Sequence, residues 1–433
     1  ALFGTAFGMA FAVQMWTIGV VVQSSYAKPL AVCLAFAGML LGEVLSGRMV
    51  DQSRAGQATS AAGGAVCLWS LLFTAGVFGG DLGWFLAAQL VFGFAFGSNH
   101  TAVDAWMSRI LLAQNRGEDV ALTLGRGWAR FNLGFLVGGA LAFPMLLGPG
   151  ILSPLAAIGP ADLLLYPGIL GLVIGLLATI LALQMSKEDP SVAKAKRDPP
   201  SLSPSAINDW LRTLSGAVAS LLTIRRAQPR GFTAALVLAS LVSVSIQLID
   251  HFAADQLLPG EAAWARAVGL TVLNMTVWLS SSLLPEFVHP FLKAGRRGLL
   301  RVITLTLAAA AVCIAAPTLL GIEEIRDVGS WLGIVALLLL CTAQGLLGAL
   351  PPLGKALLVE VTTPDRVGTA ISALGVSKRV AGAGFSILLL AWPVGHGVSG
   401  GPQMRYVTMV VIGLALGTAQ LLSTRKIRSP GAS

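Results

Sequence analysis

Two basic side chains lie inside long apolar stretches of this sequence, His100 in one stretch and Lys355 in another. A charged group at the centre of a membrane-length apolar helix costs about 3 kcal/mol, so each such group is a candidate for function. Histidine changes its charge near neutral pH, whereas lysine is a nearly fixed cation. If both side chains faced one pathway, they could bind an anionic or carboxylate-bearing molecule and carry a proton with it.

The surroundings of His100 and Lys355 match at a constant offset of 255 residues, which indicates an internal repeat. The matched positions are Gln89 with Gln344, Gly93 with Gly348, and His100 with Lys355. Two further ordered sets match at offsets of 233 and 250 residues: Gln14 and Gln23 with Gln247 and Gln256, and Arg116, Gly125 and Gly134 with Arg366, Gly375 and Gly384. Two halves repeated in parallel are typical of secondary transporters, whose binding site lies at the midplane between the halves.

Further ionisable groups lie inside apolar stretches. Asp104 follows His100 by one helical turn, so both lie on one face. Asp250 and His251, near the outer end of their stretch, could form a proton site or an interfacial pair in water. Glu43 could carry a proton if it is buried and protonated, or it could pack against the following loop.

Structural ion networks are the alternative interpretation of these charges. Asp104 could form a buried ionic lock within the first half with Arg126 and Arg130, which lie one turn apart on one helical face. The corresponding network in the second half would consist of Lys355, Glu360, Lys378 and Arg379. In that case the charges would hold helices together and would not meet a substrate.

The apolar stretches have the length and composition of membrane spans. Hydrophobic residues make up 55% of the chain and charged residues 11%, whereas a soluble chain carries about 25% charged residues. Since a helix needs about 20 apolar residues to cross the hydrocarbon, the sequence predicts twelve spans. They cover roughly 3–23, 29–46, 58–78, 83–107, 121–147, 163–185, 232–253, 265–288, 299–320, 330–358, 369–393 and 404–423.

One long polar stretch, residues 186–230, separates the spans into two groups of six. The sequence therefore predicts an all-α membrane protein of two six-helix bundles related by a pseudo-twofold axis, 1–185 and 231–433, joined by this linker. Within the linker, apolar residues recur at helical spacing over about 205–226, with arginines among them. That pattern predicts an amphipathic helix on the inner membrane surface.

Lysine and arginine concentrate at one set of span ends, which also includes the linker, while acidic residues collect at the other ends. The positive-inside rule makes the basic ends cytoplasmic. We therefore expect a multi-pass protein of the inner (cytoplasmic) cell membrane with both termini in the cytoplasm. The net charge of +9 has the same origin, so no nucleic-acid partner is expected.

Signatures of enzymes are missing from the sequence. There is no glycine-rich nucleotide loop ending in Lys-Ser/Thr, no paired Cys or His metal spacing and no serine nucleophile elbow. We expect no enzymatic activity, no metal and no cofactor. Without a nucleotide site, uphill transport would have to draw on an ion gradient.

The loop after span two carries part of a family motif: Gly47, then Asp51 four residues later, then Arg54 and Gly56. With twelve spans, a basic loop after span six and a six-plus-six repeat, the chain resembles the major facilitator superfamily. In that family the acidic residue of this loop helps to hold the inner gate closed in the outward-facing state. Spans four and ten line the central cavity there, and spans one and seven form the outer gate and the cavity wall.

The resemblance implies a proton-coupled secondary active transporter that moves a small amphipathic or anionic organic molecule by alternating access. Gly125, Gly134 and Gly138 in span five match part of a glycine pattern of proton-driven exporters, which favours efflux by an antiporter. An importer or lipid translocase of the same fold is one alternative. A membrane assembly or delivery factor that does not transport is another. The expected partners are the substrate, protons and the lipid bilayer, and we expect a monomer.

The candidate residues fall into three groups. The substrate-binding candidates are Gln14, Gln89, His100, Gln247, Gln344 and Lys355. The proton-coupling candidates are Glu43, His100, Asp104, Asp250 and His251. The gating candidates are Gly47, Asp51, Arg54, Arg109, Arg126 and Arg130.

Overall fold

The structure is a computed structural model that describes residues 1–17, 27–146, 160–188, 235–244, 286–292, 295–319, 331–360 and 362–391, with a few isolated positions (226, 233, 279, 283 and 284). Within these ranges the chain is helical, with short turns and no strand. The helices are α1 (Leu2–Thr17), α2 (Ala27–Asp51), α3 (Ala55–Gly79), α4 (Leu82–Ala113), α5 (Val120–Leu146), α6 (Pro160–Glu188), α7 (Ala235–Val244), α8 (Gly295–Leu319), α9 (Trp331–Gly348), α10 (Leu350–Val359) and α11 (Val367–Ala391).

The helices follow the predicted spans closely, because length and hydropathy decide both. Helices α1 to α6 lie on the first six predicted spans, and the predicted tenth span consists of two helices, α9 and α10. Among the described residues, five helical stretches are long and apolar enough to cross a membrane: Leu30–Asp51, Ala55–Gly79, Leu82–Ala113, Pro167–Gln184 and Gly295–Ala316. Half of predicted span seven, most of span eight, all of span twelve and nearly all of the amphipathic helix at 205–226 lie outside the described residues. The count of twelve therefore stays a prediction.

Glycines on both helices allow α2 and α4 to pack in parallel with their backbones in contact. Gly38 and Gly42 of α2, and Gly93 and Gly97 of α4, each show a small-xxx-small spacing. A Cβ atom at any of these four positions would overlap a backbone carbonyl oxygen of the other helix. Helices in lipid gain little from apolar burial, so such close backbone contact is a main source of their association.

Close contacts at glycines also join α1 and α5. Gly4 and Gly8 of α1 lie against backbone carbonyls of α5, while Gly134 and Gly138 of α5 lie against those of Ala1 and Thr5. Gly134 and Gly138 belong to the glycine pattern that favoured export. Their contact with α1 gives both glycines a packing role that does not depend on the direction of transport.

Helices α3 and α6 form a third glycine-mediated pair, and here the helices are antiparallel. A Cβ atom at Gly63 of α3 would collide with Thr179, and one at Gly175 of α6 would collide with Cys67. The parallel pairs α1/α5 and α2/α4 and the antiparallel pair α3/α6 agree with consecutive helices that cross in alternating directions. The first half is thus a bundle held by three close helix contacts.

We expect Gly93→Ala to lower the unfolding temperature of the purified protein, because the added methyl group would collide with the carbonyl oxygen of Ala35. Overpacking of this kind costs about 1–3 kcal/mol. Gly64→Ala is the matched control, since a Cβ at Gly64 of α3 meets nothing within 4 Å and alanine is the better helix former. Thermal unfolding in detergent measures both variants. Equal unfolding temperatures for the two would contradict the role assigned to Gly93.

Candidate functional site

A small cavity lies between the first half and helices α7, α10 and α11 of the second half. Water-molecule centres can occupy about 40 Å³ of it, which is room for a few waters. The charged and aromatic residues of its lining are Glu43, His100, Trp128, Lys355, Lys378 and Arg379. The two halves thus lie close together around a polar centre.

An ion pair joins the halves beside this cavity. Lys355 Nζ on α10 lies 2.5 Å from Asp104 Oδ2 on α4, and the two side chains are 13% and 12% exposed. His100 is one helical turn before Asp104 on α4 and also lines the cavity. His100 and Lys355, which the repeat predicted to be equivalent, therefore meet at one cavity from opposite halves.

The ionic lock predicted within the first half is wrong for Asp104, which is bonded to Lys355 of the other half. Arg126 instead lies 3.8 Å from Glu286, with both side chains largely exposed. The side chain of Arg130 is exposed as well. Helical spacing correctly identified neighbours within α5, but it carried no information about which half Asp104 faces.

The predicted second-half network differs in the same way. Glu360, just beyond α10, lies 3.7 Å from Arg296 at the start of α8. Burial raises the pKa of the Glu360 carboxyl, and the guanidinium of Arg296 opposes that shift. Lys355 and Arg379 form their ion pairs across the interface between the halves.

Glu43 on α2 forms the second ion pair between the halves. Its Oε1 accepts a hydrogen bond from Nε of Arg379 on α11 at 3.3 Å, and its side chain is 3% exposed. The guanidinium of Arg379 also lies over the ring of Phe96, 5.2 Å from the centroid. Gly375 makes room for this arrangement, because a Cβ there would collide with the Glu43 carboxylate.

His100 is enclosed by aromatic rings of its own half. The ring centroids of Phe96, Trp128 and Phe131 lie 4.5, 4.8 and 4.3 Å from that of the imidazole. In the part of the chain that the structure describes, Nε2 of His100 has no hydrogen-bond partner. Since His100 also lines the cavity, a polar group of a ligand or a water there could bond to it.

A hydrogen bond from Trp128 to the break between α9 and α10 connects the halves near His100. Pro351 and Pro352 lie at the start of α10, and Pro352 has no N–H to donate to the carbonyl of Gly348, four residues earlier. Nε1 of Trp128 donates to that carbonyl from the first half at 2.8 Å. This contact was not predicted from the sequence. The adjacent prolines inside a span were the available signal, since they free carbonyls that another group must satisfy.

Asp51 caps a helix of the opposite half. Its carboxylate accepts hydrogen bonds from the backbone N–H of Gly368 at 2.7 Å and of Thr369 at 2.9 Å, and from the Thr369 hydroxyl at 2.5 Å. These amides lie in the first turn of α11, where the helix dipole favours a negative charge. Gly47, one turn earlier, touches the backbone of Gly368. The basic end of α2 and the start of α11 are therefore held together.

The other gating candidates differ in how they are connected with the helix that carries Asp51. Nη1 of Arg109 on α4 donates to the carbonyl of Val50, near the end of α2, at 2.6 Å. Arg54 immediately precedes α3. Arg126 and Arg130 occupy exposed positions on α5. Arg109 thus supports the helix that carries Asp51.

The glutamine candidates whose side chains are described, Gln89 and Gln344, are not among the residues that line the cavity. They are buried in α4 and α9. Gln14 lies within α1. The candidates outside the described residues are Gln247, Asp250 and His251.

Solved structures of known transporters share this fold over nearly the whole chain. The major facilitator superfamily transporter FucP in its outward conformation has a TM-score of 0.67 at 13% identity, covering 98% of this chain and 97% of that chain. The proton:xylose symporter XylE, bound to 6-bromo-6-deoxy-D-glucose, has a TM-score of 0.65 at 14% identity, covering 97% of this chain and 93% of that chain. A second structure of FucP, the E. coli fucose:proton symporter, gives a TM-score of 0.61 at 13% identity, with the same coverage as the first.

No protein-family model and no curated protein matches this sequence. The structural likeness confirms the predicted resemblance, so the chain has the fold of major facilitator superfamily transporters. FucP and XylE are both described as transporters, and this chain shares their fold. Antiport and efflux gain no support here, because FucP and XylE are described as symporters.

We expect Asp104→Asn to destabilise the protein by about 3–5 kcal/mol, because it leaves the buried charge of Lys355 without its partner. The double variant Asp104→Asn/Lys355→Met should recover most of that loss. Asp119→Asn is the matched control: it breaks the exposed pair with Arg116 and should cost less than about 1 kcal/mol. Thermal or denaturant unfolding in detergent measures all three. A double variant no more stable than the single one would refute the pair.

We expect Asp51→Asn to loosen the contact between α2 and α11 without unfolding the protein, because an amide cannot accept the hydrogen bonds as a carboxylate does. The readout is maleimide labelling of Ser372→Cys, at a buried position beside Gly47, in a cysteine-free background. Asp51→Asn should raise the labelling rate severalfold. Asp81→Asn, which alters the cap of α4 itself, should leave the rate unchanged. Equal rates with and without Asp51→Asn would exclude the gating role.

Proposed function

We propose that this chain is a proton-coupled secondary active transporter that moves a small organic anion by alternating access. The observation that carries the proposal is the cavity between the halves, where ionisable groups of both halves meet. Charges inside a membrane protein are costly and mark substrate and proton pathways. His100 and Lys355 supply a titratable and a fixed cation for the anionic group of the substrate.

The way in which the halves are joined supports proton coupling. The ion pairs of Asp104 and Glu43 cross the interface, so they must break when the halves separate. Protonation of either carboxylate removes the attraction and makes separation less costly. The proposed proton carriers are therefore Glu43, His100 and Asp104. Asp250 and His251 remain a proposed proton site at the outer end.

Alternating access requires a gate at each end of the cavity. The cap that Asp51 places on α11 is proposed to be the inner gate, with Gly47, Arg54 and Arg109 around it. Arg126 and Arg130 are proposed to help close the same end. When the cavity opens, the amides are proposed to contact the uncharged part of the substrate: Gln14, Gln89, Gln247 and Gln344.

Proton-coupled sugar import is the second candidate, and the described activities of FucP and XylE favour it. The charged lining of this cavity favours an anion over a neutral sugar, since unpaired charges in a cavity bind an opposite charge more strongly than hydroxyl groups. Export by antiport, the expectation from the span-five glycines, is the third. The sign of the proton flux that accompanies solute entry separates symport from antiport.

The test uses the full chain in proteoliposomes that contain a pH-sensitive dye. The probes are glucuronate, lactate and 4-hydroxybenzoate, compared with the neutral solutes glucose, xylose and fucose. We expect at least one of the acids to drive acidification of the lumen above that of protein-free liposomes. Acidification by sugars alone would favour the second candidate, alkalinisation would favour antiport, and no flux with any probe would contradict the proposal.

We expect His100→Ala to flatten the pH dependence of that flux, because it removes the imidazole that is proposed to gain and lose a proton. Lys355→Ala should abolish the flux of the acids. Arg116→Gln, which removes a positive charge at an exposed turn away from the cavity, should keep the wild-type rate and profile. A wild-type pH profile in His100→Ala would exclude His100 as the titrating group.

A further inference from the structure

The charges of the described residues at the cavity do not balance. Two carboxylates, Glu43 and Asp104, are each bonded to one cation, Arg379 and Lys355 respectively. Lys378 also lines the cavity, and within the described residues it makes no ion pair. With His100 neutral and Lys378 protonated, the described groups at the cavity thus carry one positive charge in excess.

Like charges surround the amino group of Lys378. Arg379 is its neighbour on α11, and Lys355 lines the same cavity from α10. The other described charged and titratable groups that line this cavity are Glu43 on α2, His100 on α4, Lys355 on α10 and Arg379 on α11. Asp104 on α4 lies beside the cavity, bonded to Lys355. The two described carboxylates at the cavity already have partners, so no described carboxylate there is left to pair with Lys378.

Water alone is a poor partner in so small a space. The cavity holds only a few waters, and a charge removed from bulk water is costly unless an opposite charge accompanies it. A monoanion that enters the cavity would bring the described charges to zero. Protonation of Glu43 or His100 adds a further positive charge, so it would strengthen the binding of that anion.

We propose that Lys378 binds the anionic group of the substrate together with His100 and Lys355, and that this group is a carboxylate. The inference rests on the proposed function, because it takes the cavity to be the transport site. The inference adds Lys378 as a specificity-determining residue. From the sequence, Lys378 was predicted only as part of a structural ion network. The inference also implies that the proton and the anion bind together, which favours symport, in which both cross the membrane in the same direction.

The test measures binding to the purified full chain in detergent, by the shift of its unfolding temperature with ligand concentration. The probes are glucuronate, lactate and 4-hydroxybenzoate, each paired with a neutral counterpart: glucose, lactamide and 4-hydroxybenzamide. At least one acid should stabilise the wild type more than its neutral counterpart. Lys378→Met should weaken the binding of that acid at least tenfold.

Two further variants separate charge from packing. Lys378→Arg keeps the positive charge and should retain binding within a few-fold of wild type. Arg116→Gln removes one positive charge far from the cavity and should bind as wild type does. If Lys378→Met does not fold, loss of binding in Lys378→Gln with an unchanged unfolding temperature serves as the readout.

Three results would overturn the inference: equal binding of acids and neutral counterparts, no binding of any acid, or unchanged affinity in Lys378→Met. These outcomes differ from failure of the proposed transport. If sugars drive proton flux in liposomes with equal rates in wild type and Lys378→Met, the chain is a transporter and Lys378 is not its anion site. If no solute drives flux while acids still bind through Lys378, transport fails and the anion site stands.

Discussion

Ion pairs that cross between two halves of an apolar protein are the constraint on which this structure depends. Asp104 with Lys355, and Glu43 with Arg379, each place one charge on either side of the interface. Simple separation of the halves would leave buried charges bare, at several kcal/mol for each pair. The closed arrangement is therefore stable only while these pairs persist or while protons, water or a ligand replace the lost partners. The small cavity and the cap on α11 are both consequences of this closeness.

The contacts within the first half are of a different kind. There α1, α2, α3 and their partners meet through glycines, with backbone against backbone and no charge involved. Such contacts lose their energy within a fraction of an ångström, so the bundle resists internal deformation. The contacts between the halves are polar and can exchange one partner for another. The distribution of small residues and charges thus divides the molecule into a stiff unit and an interface that can open.

The helices were predictable because each must satisfy its backbone hydrogen bonds and cross the hydrocarbon on its own, so length and hydropathy are local signals. The repeat also placed His100 and Lys355 at equivalent positions, and the structure has both at one cavity, although what they bind remains a prediction. The partners of Asp104 and Glu43 were not predictable. Pairing across the interface depends on how the halves are rotated against each other, which no spacing within a helix encodes. The hydrogen bond from Trp128 to the Gly348 carbonyl also crosses the interface, and it was not predictable for the same reason.

The bond between Trp128 and the carbonyl of Gly348 bears on the mechanics of the α9–α10 joint. In an unbroken helix, bending at one point stretches the internal hydrogen bonds around it. Here Pro352 has already removed the internal donor, and the substitute comes from another helix. The joint can therefore swing when the indole departs, and water can take over the carbonyl without unravelling either segment. The loss of that bond would also change the surroundings of an indole, which gives the protein an intrinsic fluorophore at a contact between its halves.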